Sequence, residues 1–388
     1  MSVVVTKYSP AVVAGPSDAG IVHLSSFDRC MGPTEVTLLL VFDRPIDEPV
    51  KSIKNALAQA LAHYPPMAGR LTATGDDGEL HIACTGEGAS FVGASASCAL
   101  DDEDVTRSAL LHGDLAVGYP AEYCSLGDPL LLMQVTEFAY GGFAVGVTWN
   151  HVIADAAGMA QFLQAVGELA RGVPEPAVVP VRCEVQGSLP CLPPPLVAAM
   201  SAAATARCSK PSPRCRTRAV ISDDDPDASV PLAFPSNVRE LVGAREGYYG
   251  NCITMQLVQA TSDTVAGGEI KDLVRLIKLA KEKVPDIFQN NSGAVGETGA
   301  GGDRDQQRLA PPRYNTLGVS SWRNLGFEAV DFGRGRPARV MWKAHPTVGL
   351  VCVLCPPCKG EDGISVVSRC VKPEHADAFV AELAALDV

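Results

Sequence analysis

Thr148-Trp-Asn-His151-Val-Ile-Ala-Asp155-Ala-Ala-Gly158 lies where an apolar β-like run gives way to a helical one, and that change of period decides the fold class. Upstream, Leu130–Glu137 and Gly142–Trp149 are apolar runs rich in β-formers, joined by Phe138-Ala-Tyr-Gly141, a hairpin signature. Downstream, Gly158-Met-Ala-Gln-Phe-Leu-Gln-Ala-Val-Gly-Glu-Leu-Ala170 repeats its apolar residues at helical spacing. It stops at Arg171-Gly172, a basic last turn followed by glycine. His151 therefore belongs to a strand-to-helix junction, where a rigid scaffold can turn a side chain towards a cavity. An imidazole held there can take a proton from an alcohol or amine. The structural alternative is a buried histidine bonded to Asp155 and nothing more.

Working outward, a chain of 388 residues that is 47% hydrophobic exceeds one ordinary core and suits two domains. The first, residues 1–172, opens with a strand at Glu35–Phe42 and a helix at Val50–Ala62 and closes with the helix near residue 170. Residues 173–213 shift to Pro, Ala and Val, with Leu192-Pro-Pro-Pro-Leu196 in the middle, and read as a crossover linker. The second domain, 214–388, carries an amphipathic helix at Glu269–Lys283 and a C-terminal helix at Pro373–Ala385. Between them, Asn290–Gln307 is Gly-rich and charged, the composition of a surface loop. Both halves mix strand and helix periods, so the class is α/β with mixed sheets.

Composition excludes several functions. A net charge of −12 argues against a nucleic-acid surface. Met1–Lys7 lacks the apolar core of a signal peptide, and no apolar run approaches membrane-spanning length. Thirteen scattered cysteines suit a reducing compartment, so a cytoplasmic location is expected. Cys352-Val-Leu-Cys355-Pro-Pro-Cys358 has the spacing of a metal site, yet Val348–Leu354 reads as a buried strand, Pro356-Pro357 as the turn ending it, and no fourth ligand stands nearby. No metal is expected. Gly296-Glu-Thr-Gly-Ala-Gly-Gly302 follows no strand and precedes no Gly-Lys-Ser, so it is not a phosphate loop.

A second motif, Val330-Asp331-Phe-Gly333-Arg334-Gly335, follows Tyr314–Phe327. With His151-x-x-x-Asp155, and with Ala62-His-Tyr-Pro-Pro-Met-Ala-Gly-Arg-Leu71, Asn237-Val-Arg239 and Gly247-Tyr-Tyr-Gly-Asn-Cys252, it makes the chain resemble the BAHD acyltransferases. These plant enzymes move acyl groups from coenzyme A to alcohols or amines, and the motifs occur here in the family's order from end to end.

The resemblance implies two similar α/β domains related to chloramphenicol acetyltransferase, with a channel between them. Acyl-CoA, a co-substrate and not a bound cofactor, would enter from one face and a small-molecule alcohol or amine from the other, meeting at His151. It implies His151 as general base with no covalent acyl-enzyme, and a monomer, since the family's site is complete in one chain. Asp155 is expected to point away from the channel and pair with an arginine, Arg239 by motif order. Asp331, with Gly333 and Gly335, is implied to fix a loop at the coenzyme entrance. Ser320 and Trp322 match a position facing the reaction centre, as oxyanion donors or channel wall, against the alternative of a packed strand end. Ser26 and Asp28 resemble an acceptor-side segment. Arg334 and Arg336, with Arg339 and Lys343, and Arg214 and Arg216, with Arg218, are candidates for coenzyme phosphates, the alternative being a solvated strand face.

Three departures stand out. Ala156 replaces the glycine after Asp155, and Arg334 replaces a tryptophan. Before Arg214, a strand and a long apolar helix of the family are missing. Two functions are therefore expected from different classes: an acyl-CoA-dependent O- or N-acyltransferase, or a noncatalytic relative retaining a metabolite pocket. A third, transfer to a carrier-bound substrate, shares His-x-x-x-Asp but has no carrier domain in the chain.

Overall fold

The computed structural model describes residues 4–16, 20–74, 78–100, 114–120, 124–182, 189–205, 229–261, 264, 269–291, 317–343, 351–368 and 376–385. The protein is α/β, with mixed sheets in two domains. The first half contains β1 (Val5–Lys7), β2 (Ala11–Val13), β3 (Ile21–His23), α1 (Ser26–Met31), β4 (Glu35–Phe42) and α2 (Pro49–His63). After these come β5 (Arg70–Thr74), β6 (Glu79–Ala83), β7 (Ala89–Ala96), β8 (Leu131–Phe138), β9 (Phe143–Asn150) and α3 (Ala156–Ala170). The main sheet runs β1-β7-β8-β9-β4, with β2 also on β7, and β3-β6-β5 form a small separate sheet.

The hairpin expected at Phe138–Gly141 is present, and β9 pairs antiparallel with both β8 and β4, Glu35 opposite Asn150 and Phe42 opposite Phe143. Unlike a half-solvated strand, β4 is apolar at successive positions because both its faces are covered. Leu38, Leu40 and Phe42 join the core built with α2 and α3, while Leu39 and Val41 pack with Leu115, Phe138 and Ala144 on the other side. From α3, Met159, Phe162, Leu163 and Val166 are buried, each contributing about 1.5–3 kcal/mol against exposure.

The second half contains α4 (Pro194–Thr205), β10 (Ser229–Asn237), β11 (Ile253–Thr261), α5 (Ile270–Glu282), α6 (Val284–Asn291) and β12 (Leu317–Ser321). It ends with β13 (Arg339–Trp342), β14 (Val351–Cys355), β15 (Ser365–Ser368) and α7 (Ala376–Ala385). Its sheet runs β11-β10-β12-β14-β15. The stretch read as linker holds a helix, α4, whose Leu196 and Met200 share a core with Phe27 and Met31 of α1 and with Val238 and Cys252. The strand β13 leaves its own half and pairs antiparallel with β4, Trp342 opposite Leu38, so the second half completes the first sheet. Cys352 and Cys355 are buried on β14, and three residues apart on a strand they face opposite sides and cannot chelate one ion together.

Helix α3 meets the second half at close quarters. A Cβ placed on Gly158 would lie 1.8 Å from the carbonyl oxygen of Tyr249, and one on Gly167 would lie 2.5 Å from that of Asp331. Both clashes are with backbone, which cannot move aside alone. Gly158→Ala is therefore expected to lower stability by about 1–3 kcal/mol or more, read as a fall in the urea midpoint, while Gly172→Ala, at a helix end with open space around it, should show only the smaller cost of its positive φ.

Candidate active site

Asp155 is the N-cap of α3. Its Oδ1 accepts from the backbone N–H of Gly158 at 3.0 Å, satisfying one of the helix's orphan donors. The same oxygen pairs with Arg239 Nη2 at 2.8 Å, and Oδ2 accepts from the N–H of Cys252 at 3.0 Å. Arg239 is held in turn by the carbonyls of Gly250 (2.7 Å) and Tyr248 (3.3 Å). Burial opposes the arginine's charge, and the Asp155 carboxylate beside it more than compensates, so its pKa is raised. The carboxylate thus faces away from His151 and towards the second half, and the pair joins the expected residues. With its three bonds taken elsewhere, Asp155 does not orient the imidazole.

Asn251 does. The His151 N–H donates to Thr34 O at 2.7 Å, which fixes the turn after β9. Its ring Nδ1 lies 3.0 Å from Asn251 Oδ1. The amide's orientation is set by its other end, because Nδ2 donates to Asp28 Oδ1 (2.9 Å), to His151 O (2.8 Å) and to Val152 O (3.2 Å). All three are acceptors, so Asn251 must present its carbonyl to the ring, and Nδ1 must carry the proton. Nε2 is then the nitrogen with the basic lone pair. Asp28 itself is buried and accepts from Ser25 N and Oγ and from Asn251 N and Nδ2, and it pairs with Arg182 Nη2 at 3.2 Å.

Asn251 lies within the Gly247–Cys252 motif, but its role depends on partners 100 and 223 positions away, which no local pattern reveals. The one signal for Arg182 was a lone charge ending the apolar run Val178-Val-Pro-Val181.

The other expected residues divide into two places. Trp322 is buried, its ring centroid 6.4 Å from that of Trp149 and 5.3 Å from Phe327, so the second half packs a tryptophan against the strand that ends at His151. Ser320, half-buried near the end of β12, is opposite Val353. The Asp331 loop lies at the far end of α3, about 22 Å from His151 along a 15-residue helix. There Asp331 Oδ1 accepts from Gly333 N (2.7 Å) and Gly335 N (2.9 Å), both glycines have positive φ, and Arg171 donates to the Asp331 carbonyl. Phe332 inserts against Phe42 at 5.2 Å. The exposed Arg334 and Arg336 line a shallow surface cleft with Arg44 and Ile46, with no enclosed volume of its own. Arg214 and Arg216 lie outside the described residues.

A family model described as the Transferase family matches residues 1–220 and 213–386. The chain is 38% identical to Acyl transferase 15 of Oryza sativa subsp. japonica, covering 100% of this chain and 99% of that protein. It belongs to this family, the BAHD acyltransferases. A myricetin 3-O-glucosyl 1,2-rhamnoside 6'-O-caffeoyltransferase of Crocosmia x crocosmiiflora is 32% identical over 99% of both chains. In fold, vinorine synthase superposes with a TM-score of 0.63 at 19% identity, covering 93% of this chain and 94% of that one. TRI101 of F. sporotrichioides, solved with coenzyme A and T-2, gives 0.60 at 16%, covering 93% and 97%.

Two BAHD departures have a physical resolution. Ala156 begins α3 without positive φ, so the turn needs no glycine there, whereas Gly158 is required by the approach of Tyr249. Arg334 projects into solvent, where a charge costs nothing and a tryptophan would have been exposed. The third departure is a difference of length: the alignment with the rice relative spans 438 positions, more than this chain's 388 residues, so that relative has residues without a counterpart here.

Asp155→Ala leaves the Arg239 charge mostly buried and unpaired and removes the cap of α3. The expected cost is about 3–5 kcal/mol, measurable by urea denaturation, and Asp155→Asn, which keeps one acceptor and the cap, should recover part of it.

Proposed function

We propose that this acyltransferase moves an acyl group from acyl-CoA to the hydroxyl or amine of a small plant metabolite, with His151 as general base. The observation that carries this reading is the hydrogen bond from His151 Nδ1 to Asn251, which keeps the ring proton on Nδ1 and the basic lone pair on Nε2. An alcohol is a poor nucleophile at neutral pH and must lose its proton as it attacks the thioester carbonyl. The imidazole accepts that proton and returns it to the departing thiolate, so coenzyme A leaves as a thiol and the ester or amide remains. Help of this kind is worth about 10²–10⁴ in rate. The acceptor is itself the nucleophile, and no covalent acyl-enzyme is needed.

The tetrahedral intermediate places negative charge on the former carbonyl oxygen. The Ser320 hydroxyl and the Trp322 indole N–H are the proposed donors or walls on the second-half side. Coenzyme A carries several negative charges, which an acidic protein must meet locally. Arg334 and Arg336, at the rim of the cleft formed with Arg44, are the proposed phosphate contacts, with Arg214 and Arg216 as further candidates. Asp331, Gly333 and Gly335 shape that rim without touching the reaction centre. A monomer in the cytoplasm suits this reading, and no described helix is long and apolar enough to cross a membrane.

A second reading is favoured by the length difference: a relative that keeps a metabolite pocket and has lost turnover. The two separate in one experiment, thiol release from a panel of acyl-CoA donors with pooled alcohol and amine acceptors, comparing the purified protein with His151→Ala. Acceptor-dependent release that falls by about two orders of magnitude in the variant supports the base. No release from a cooperatively folded wild type across the panel would favour the noncatalytic reading.

A further inference from the structure

Arg182 is a buried cation in the crossover, outside every motif of the family resemblance and some thirty residues from the histidine it approaches. Its side chain is 8% exposed and that of its partner Asp28 2%. One arm, Nη2, reaches both Asp28 Oδ2 (3.2 Å) and the Val152 carbonyl (3.4 Å). The other, Nη1, reaches the Tyr248 hydroxyl at 3.5 Å, and the guanidinium stands 5.7 Å from the centre of the Tyr249 ring. Nε is buried with no hydrogen-bond partner among the described residues. A buried ion pair with an unsatisfied N–H contributes little to stability, and a hydrophobic pair of the same volume would commonly do as well. What the arginine does supply is direction.

The Asn251 amide is aimed by three acceptors: Asp28 Oδ1, Val152 O and His151 O. Arg182 holds two of them, Asp28 and Val152. We infer that Arg182 is a positioning residue for acyl transfer: it holds Asp28 and the Val152 carbonyl in place, so that Asn251 turns its carbonyl to His151 and Nε2 stays the basic nitrogen. The inference rests on His151 being the general base.

The chemistry of the pair makes the dependence specific. An ionised carboxylate only accepts, so it takes the NH₂ end of Asn251 and never the carbonyl. Without Arg182, neither residue 28 nor the Val152 carbonyl is held against the NH₂ end of Asn251. Two of the three acceptors that fix the amide can then shift, and the amide can turn over. The amide then offers a donor to His151 Nδ1, and the ring proton moves to Nε2. Such an imidazole cannot take a proton from the acceptor, the same loss of tautomer by which an orienting carboxylate matters in a serine protease.

The test uses the full chain in three forms: wild type, Arg182→Met, and Arg182→Met/Asp28→Leu. The double variant leaves no stranded charge, so it addresses the case in which the single one fails to fold. The readouts are the His151 tautomer from ¹⁵N-histidine NMR, assigned by difference with His151→Gln, and kcat and KM for thiol release. The expected result is an Nδ1-protonated ring in the wild type, with protonation moving towards Nε2 in both variants. With it, kcat should fall about tenfold or more while KM for acyl-CoA holds. A double variant that keeps the Nδ1–H tautomer and full kcat would overturn the inference, since Arg182 would then merely neutralise Asp28. The NMR readout is independent of turnover: the expected tautomer shift in a protein with no transferase activity would support the clamp while sinking the acyl-transfer reading.

Discussion

One buried carboxylate decides whether the two halves form a single working surface. Asp155 is an acceptor with nowhere to shed its charge, and the first half gives it one donor, the Gly158 N–H. The remaining donors, Arg239 Nη2 and Cys252 N, come from the second half. Left unpaired at this depth, the carboxylate would destabilise the fold by several kcal/mol. Docking of Asn237–Cys252 onto the start of α3 is therefore a condition of folding. It also delivers Asn251, the residue before Cys252, to the ring of His151. The orientation of the His151 ring is a by-product of satisfying the aspartate.

The same helix is held at its other end. Gly167 admits the Asp331 backbone, Arg171 donates to the Asp331 carbonyl, and Gln164 donates to that of Gly326 at 2.9 Å. Beyond the loop, β13 adds itself to β4 in the first sheet. With both ends fixed by the second half, α3 acts as a strut that sets the distance between the histidine and the arginine-lined cleft. Two motifs far apart in sequence are thereby held at opposite ends of one 15-residue helix.

Legibility in the sequence followed the range of the interaction. The β8–β9 hairpin, β4, α2, α3 and α5 could be read because period and turn chemistry are local properties. His151 and Asp155 stood out through their spacing at a change of period, and Arg239 followed from the family's motif order. Asn251, Asp28 and Arg182 could not be weighed in the same way. Each owes its part at His151 to partners far away in sequence, and a buried amide looks the same in sequence as a solvated one. Helix α4 was hidden for a different reason: its opening prolines signal a linker, yet proline is tolerated in a first helical turn, and tertiary contacts with α1 did the rest.

The length difference from the relatives bears on stability and chemistry separately. If the shortening lies before Arg214, where the two family-model matches meet at residues 213–220, it falls outside Asn237–Cys252 and outside the Asp331 loop. The hydrogen bonds traced from His151 through Asn251 to Asp28 join Ser25–Thr34, Asn150–Asp155, Arg182 and Asn237–Cys252. What a missing helix would change is the cover of the second sheet. Leu279 of α5, 43% exposed, lines an open groove along the end of β11. A thinner second half weakens the body that must supply Arg239 and Cys252 to Asp155, so its cost reaches His151 through docking.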